Sequence, residues 1–319
     1  MRTNLAVDPW RSGFAVFASQ STASSNYVMQ GPFTSVTRNN TGVNTNQAAF
    51  DSDMRAAYNL ALMWNATSNT VYAAKATTIL TSWFTTLTNW DTFDGVVGLE
   101  VSVAGYQGAP AAEILRYTYP GWTSSNTFVC AQFFTNMVWN WIQANGYGTG
   151  NQGAAKVQAM ASVSVFCDNT NWFSVTTNIF MTDTCNSLDR NSLPTGQNAE
   201  SGRDQGHPLG AIGSHLTIAD LCWKATAGGV DFYSYLTNRI LLEMEYYARY
   251  NMGDDNVPYQ TFGPCNNSWS TISTSGRGGQ NARAQLVHVK VAYQNRLALP
   301  TPYSTAYLNW FTVDDSDFL

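Results

Sequence analysis

The chain has 319 residues, a charged fraction of 12% and a formal net charge of -5, with four lysines against twelve arginines. That balance excludes a nucleic-acid-binding face, which needs a basic stripe, but leaves room for one arginine to hold an anionic group. No apolar run approaches the roughly eighteen residues of a membrane span, and no linker or low-complexity tract divides the chain, which favours a single domain.

Residues 1 to 50 are rich in Ser, Thr, Asn and Gly and read as a loop-rich segment with short extended pieces, packed on a domain formed by residues 51 to 319. Helical periodicity begins at Asp51, with Met54, Ala57, Tyr58, Ala61 and Leu62 at spacings of three and four. Asp51 or Asp53 is positioned to cap its start. After a polar turn, Tyr72 to Leu87 carries a second stripe, so the two segments form a helical hairpin. The pattern recurs at 109–117, 128–144, 151–167, 171–182, 207–226, 230–251 and 280–297, with a short closing piece at 303–311. Only the stretch near Val257 to Thr274 hints at a period of two. Successive hairpins with short turns predict an all-α fold, an (α/α) toroid that is an incomplete barrel of about five to seven hairpins.

The five cysteines show no C-x-x-C pair, so no zinc site is predicted, and no other cluster suggests a metal or cofactor. One or two disulfides with a leftover thiol fit an extracellular protein, and their pairing stays open. Asn39-Asn-Thr, Asn65-Ala-Thr and Asn266-Asn-Ser have the form of glycosylation acceptors. Together these features point to a secreted glycoprotein. Met1-Arg2-Thr3-Asn4 opens the chain without a long apolar run, which a processed start would explain. Most tryptophans lie on apolar stripes and read as core. Trp83, Trp90, Trp122 and Trp172, at helix ends or in loops, are candidates for stacking on sugar rings.

Chemistry-bearing residues concentrate in one stretch, 198 to 209, where Glu200, Arg203, Asp204, Gln205 and His207 are spaced by Gly202 and Gly206. In a helix, positions 200, 203/204 and 207 share a face, aiming a carboxylate, a guanidinium and an imidazole at one spot. A charged helix N-terminus, with its acids at the positive end of the dipole and the arginine paired to them, accounts for the same residues. His215 and His288 lie in apolar helical surroundings and read as structural.

The run Glu200-Ser-Gly-Arg-Asp-Gln-Gly-His207 resembles the alginate-lyase-like polysaccharide lyases of the α/α-toroid fold, and is most similar to polysaccharide lyase family 38, whose members cleave alginate or glucuronan. Asp53-Met-Arg-Ala-Ala-Tyr58, Gly150-Asn-Gln-Gly153, Tyr250 to Tyr259 and Ser275-Gly-Arg-Gly278 look like further family segments, so the likeness spans about residues 50 to 297. It implies β-elimination across 1,4-linked uronic acids. The C5 proton beside a carboxylate is lost only when that charge is neutralised and the developing enolate stabilised. A base then takes the proton and an acid protonates the leaving oxygen.

Carried over to this chain, the resemblance implies catalytic roles for Glu200, which neutralises the substrate carboxylate, as the protonated acid if burial raises its pKa, and for His207 as base or donor. Arg203 and Gln205 bind sugars, Asp204 orients Arg203 or caps the helix, and Asn151 approaches the carboxylate from the opposite wall, with Gln152 beside it. The family also uses a downstream tyrosine and arginine. Tyr259 and Arg277 are chosen, because both sit in Gly/Pro-marked loops able to reach a cleft. Tyr250 and Tyr293, with Arg249 and Arg283, are their competitors; Tyr250 is also placed among the substrate-binding residues. The expected partner is an anionic polysaccharide, met by a monomer without nucleic acid or membrane.

Two other classes fit the composition. A toroid glycoside hydrolase would use Glu200 or Asp204 as acid and Asp254 or Asp255 as base, with carboxyls roughly 6.5–9.5 Å apart if inverting. A carbohydrate-binding protein without catalysis would rely on the aromatics. His207 beside Glu200, Arg203 and Gln205 favours the lyase, since a hydrolase has no need of an arginine cradle for a uronate.

Overall fold

The computed structural model describes residues 4–38, 46–91, 96–265 and 268–318. The described residues are mainly helical, and their one sheet has two short parallel strands. Two compact units emerge: Met1–Gly146 with Ser162–Trp172 and Asp317–Leu319, and Tyr147–Ala161 with Phe173–Ser316. The described residues 4–38 and 46–50 lie in the first unit.

That unit starts with a helix where loops are expected. α1 (Trp10–Ala18) buries Phe17, whose ring meets Phe318 at 4.9 Å. Gly13 on α1 lies so close to the Asp317–Phe318 backbone that a Cβ would stand 2.7 Å from the Phe318 nitrogen. β1 (Ser35–Thr37) follows and later pairs in parallel with β2 (Asn89–Asp91) through Val36 and Trp90. Between them runs the predicted hairpin. α2 (Gln47–Thr67) buries Met54, Ala57, Leu60, Ala61 and Trp64, and left-handed Ser68 turns the chain. Asn69 then caps α3 (Thr70–Thr86) by accepting the Val71 N–H at 3.1 Å.

Asp53 is no helix cap. It is fully buried inside α2, and its carboxylate accepts from the Trp83 indole (2.7 Å), the Tyr27 hydroxyl (2.7 Å) and the backbone N–H groups of Gln30 and Gly31. The N-terminal segment is thereby pinned to the α2–α3 hairpin. Trp83 and Trp90 are core residues at 0% and 4% exposure, so neither is a sugar platform. Trp90 donates to the Met137 carbonyl, and Trp172 stacks on Trp139 at 4.5 Å.

α4 (Gly98–Val103) passes through a π-helical turn, Ala104–Gly108, into α5 (Ala109–Thr118). α6 (Ser124–Phe133), opened by a Thr123/Asn126 capping box, passes likewise through Phe134–Trp139 into α7 (Asn140–Asn145). Two phenylalanines of this segment pack on residues of other helices, Phe133 on Phe84 (4.1 Å) and Phe134 on Phe166 (5.2 Å).

The second unit takes most of α8 (Gly150–Phe166) and α9 (Thr170–Thr182), then α10 (Leu188–Asn191), α11 (Gly206–Ala225) and α12 (Tyr235–Asn251). Residues 236–238 of α12 are left-handed, so the regular helix starts at Arg239, later than the periodicity suggests. α13 (Arg283–Val289) runs into a π-helical stretch, Lys290–Arg296. α14 (Pro302–Leu308) has its first N–H groups on the Glu245 carboxylate of α12, both at 2.9 Å. Among the described residues near 257–274 there is only an isolated bridge, Phe262 with Trp269.

One disulfide forms among the described residues, Cys185–Cys265, and Cys130, Cys167 and Cys222 are free. Among the acceptor motifs, Asn65 lies in the last turn of α2, while Asn39 and Asn266 fall outside the described residues. No described helix is long and apolar enough to cross a membrane.

Candidate functional site

The 198–209 stretch is not one helix. Residues 199–203 form turns, and α11 begins only at Gly206. The reason is local: Asp204 Oδ1 accepts the backbone N–H groups of Gly206 (2.8 Å) and His207 (2.9 Å), which satisfies two donors that a new helix leaves open. The shared-face geometry therefore does not arise. A turn, not a helix face, gathers the polar residues.

The same aspartate orients the histidine. Asp204 Oδ2 meets His207 Nδ1 at 2.5 Å, leaving Nε2 as the ring nitrogen without a protein partner among the described residues. The His207 side chain is 33% exposed. Burial alone would raise the Asp204 carboxyl, but the His207 amide, the His207 ring and the Gly206 amide together hold it below the usual carboxylate range. A carboxylate on Nδ1 fixes the imidazole with its proton on that side and its lone pair on Nε2, the form a general base needs. Asp204 thus caps the helix and orients His207; it does not orient Arg203.

Arg203 is held instead by Glu200, at 3.0 Å between Nη1 and Oε1. The other Glu200 oxygen accepts the Asn151 backbone N–H at 2.6 Å, so the N-terminus of α8 is tied to this turn. Glu200 is 1% exposed and accepts through both oxygens, whereas the Arg203 side chain is 39% exposed. The exposed cation, rather than the buried acid, is the group able to meet a substrate carboxylate. Glu200, expected as the neutralising group, instead meets two donors of the protein itself. Asn151 lies beside Gly210, one turn along α11 from His207: a Cβ on that glycine would stand 4.0 Å from the Asn151 Cβ. Gln152 follows it, half-buried in the first turn of α8.

Gln205 and Tyr250 are committed to the fold. Gln205 is 2% exposed; its amide donates to the Ser273 carbonyl (2.9 Å) and accepts from Asn251 (3.0 Å). Tyr250, also 2% exposed, donates its hydroxyl to the Ser273 carbonyl. With such burial neither reaches a sugar. Arg277 stacks on the Tyr250 ring at 4.0 Å, donates to the Tyr250 carbonyl and pairs with Asp255 at 2.6 Å. It braces a loop.

Tyr259 sits differently. Its ring is half-buried and its hydroxyl donates to the Trp269 carbonyl at 3.0 Å. A Cβ on Gly202 would stand 2.5 Å from that hydroxyl and 2.3 Å from the Trp269 Cβ. Only a glycine lets the Glu200–Arg203 turn approach this loop so closely. Its competitor Tyr293 is fully buried against the Tyr233 carbonyl. Burial also raises the Tyr259 hydroxyl above its ordinary value, which favours the protonated form. Asp254 and Asp255, the carboxylates a hydrolase would need, are paired with Arg249 and Arg277.

One contributor is not legible as a motif in the sequence. Asn198 accepts the Glu200 N–H at 2.9 Å and donates to the fully buried Glu243 at 2.9 Å. Its position two residues before Glu200, in the geometry of an Asx turn, is the available signal. His288 is held on the Tyr233 hydroxyl at 2.7 Å. No group of three or more metal-ligating side chains occurs among the described residues.

No protein-family model matches the chain, and comparison with curated proteins finds no relative. Solved structures do match. An alginate lyase from Bacteroides ovatus aligns over 88% of this chain and 75% of its own, with a TM-score of 0.66 at 15% identity. Alginate lyase A1-III from Sphingomonas species A1 aligns over 99% and 91%, with a TM-score of 0.70 at 15% identity. A tyrosine-to-phenylalanine variant of that enzyme complexed with tetrasaccharide gives a TM-score of 0.72 at 15% identity, over 99% and 90%. At such identity the likeness establishes architecture: the chain has the all-α toroid fold of these alginate lyases.

Proposed function

We propose that the protein is a polysaccharide lyase that cleaves 1,4-linked uronic acid polymers, alginate (mannuronan) or glucuronan, by β-elimination. The observation that carries this reading is the Asp204–His207 pair, with Nε2 unpartnered, next to an exposed arginine held by Glu200. The alginate lyases that share the fold, one of them complexed with tetrasaccharide, support the substrate class.

In this reading Arg203, with Asn151, neutralises the carboxylate at the sugar that receives the negative charge. His207 Nε2 takes the C5 proton. The released electron pair forms the C4=C5 double bond, and the C4–O bond to the leaving sugar breaks. Tyr259 turns its hydroxyl from the Trp269 carbonyl and supplies the proton to the leaving oxygen. The products are a 4,5-unsaturated uronate end and a new hydroxyl end. Asp204 holds the imidazole, and Glu200 holds Arg203 and the start of α8. We read the protein as a secreted monomer that needs no metal; the Cys185–Cys265 disulfide supports an oxidising compartment.

Incubation with mannuronate-rich alginate, guluronate-rich alginate, glucuronan and a neutral glucan tests the reading. A rise in ultraviolet absorbance from the conjugated double bond is expected on at least one uronan and not on the glucan. Intact protein that produces no such absorbance on any uronan would sink it. New reducing ends without the absorbance would indicate hydrolysis.

A further inference from the structure

Behind the turn that bears Glu200 lies a chain of fully buried polar groups. Glu243 on α12 is 0% exposed, His215 on α11 1% and Asn198 3%. Glu243 Oε2 meets His215 Nδ1 at 2.9 Å, and Oε1 accepts from Asn198 Nδ2 at 2.9 Å. Asn198 Oδ1 then accepts the Glu200 N–H at 2.9 Å, and the Asn198 carbonyl accepts the Ser201 N–H at 3.0 Å.

The donor and acceptor rules allow one polarity for this chain. A carboxylate offers only acceptors, and a backbone N–H is only a donor. Asn198 must therefore turn its NH2 to Glu243 and its oxygen to Glu200, and a reversed amide loses both bonds. Burial makes that loss expensive, because no water replaces the missing partner. His215 holds the far oxygen of Glu243, so the carboxylate cannot rotate away from Asn198. We infer that Glu243 and His215, through Asn198, are positioning residues for Glu200, and through it for Arg203 and the start of α8. This assignment deepens the lyase reading and rests on it. It gives a function to His215, which the sequence offers only as a structural histidine.

A polarity swap tests it. Asn198→Asp keeps an acceptor for the Glu200 N–H but sets two carboxylates against each other. Adding Glu243→Gln restores a donor: its NH2 faces the new carboxylate at position 198 and its oxygen faces the His215 Nδ1–H, so every bond is remade. Asn198→Asp alone is expected to lower kcat on the preferred uronan about tenfold or more, with KM changed much less. The double variant should return kcat to within about threefold of the parent. A single variant with parental kcat, or a folded double variant as slow as the single one, would overturn the inference. The same cycle is read in thermal unfolding, which does not depend on turnover: the double variant should unfold at a higher temperature than Asn198→Asp. Strictly additive losses there overturn the coupling. A parent protein that makes no unsaturated product overturns the lyase reading instead, so the two failures are distinguishable.

Discussion

At the scale of single residues, the site depends on one aspartate serving two purposes. Asp204 caps α11 through Oδ1 and orients His207 through Oδ2. Asp204→Asn keeps the capping oxygen but turns an amide donor toward Nδ1, which moves the imidazole proton to Nε2 and removes the base. We predict a loss in kcat of about 10²-fold or more, within the range for a displaced general base, with the unfolding temperature nearly unchanged. His207→Ala should lose at least as much; steady-state kinetics with a melting curve for each variant checks both. A second residue-scale prediction concerns pH. Burial, reinforced by Lys224 and Arg296, lowers the His288 ring from 6.5 to about 4 despite the opposing charge of Asp220. The unfolded state then binds more protons than the folded one between those values. The contribution of this group is present above 6.5 and is lost as the pH falls toward 4. Urea midpoints measured across that window should decline on acidification, and His288→Gln should flatten the decline.

At the scale of elements, the α2–α3 hairpin depends on a charge inside its first helix. Asp53 receives four donors, from Trp83, Tyr27, Gln30 and Gly31, and joins the N-terminal segment to both helices. Gly31 approaches Trp83 so closely that a Cβ would stand 2.1 Å from the indole ring. Asp53→Ala would strand those donors in a dry interior. It should cost about 3–5 kcal/mol in urea unfolding, the range for breaking a buried charged network. A loss under about 1 kcal/mol would show that water replaces the carboxylate. The sequence made the hairpin plain because its apolar stripes repeat at 3.6 residues. It misled on Asp53, since an acid near a helix start reads as a cap until its burial is known.

At the scale of the whole molecule, the Cys185–Cys265 disulfide closes a separation of 80 residues. It joins the turn containing Asn186, which donates to the Gly148 carbonyl ahead of α8, to the loop that carries Tyr259. Chain-entropy arguments give roughly 4 kcal/mol for a loop of that length. Reduction, or Cys185→Ser with Cys265→Ser, should therefore lower the unfolding temperature clearly, as a melt with and without reductant would show. The free thiols are no substitute: burial raises Cys222 to about 12 and Cys167 to about 11. By itself the sequence determined the all-α class and most of the helices, though not α1 or α4, and it marked the stretch richest in polar side chains, because periodicity and residue type are local properties. Only the tertiary structure decided that Asp204 belongs to His207, that Arg203 rather than Glu200 faces outward, that Gln205, Tyr250 and Arg277 are spent on packing, and that Asn198, Glu243 and His215 stand behind the site. Those roles depend on which donors meet which acceptors across long separations, as between Asn198 and Glu243 (|i−j| = 45), and on which of them burial seals from water.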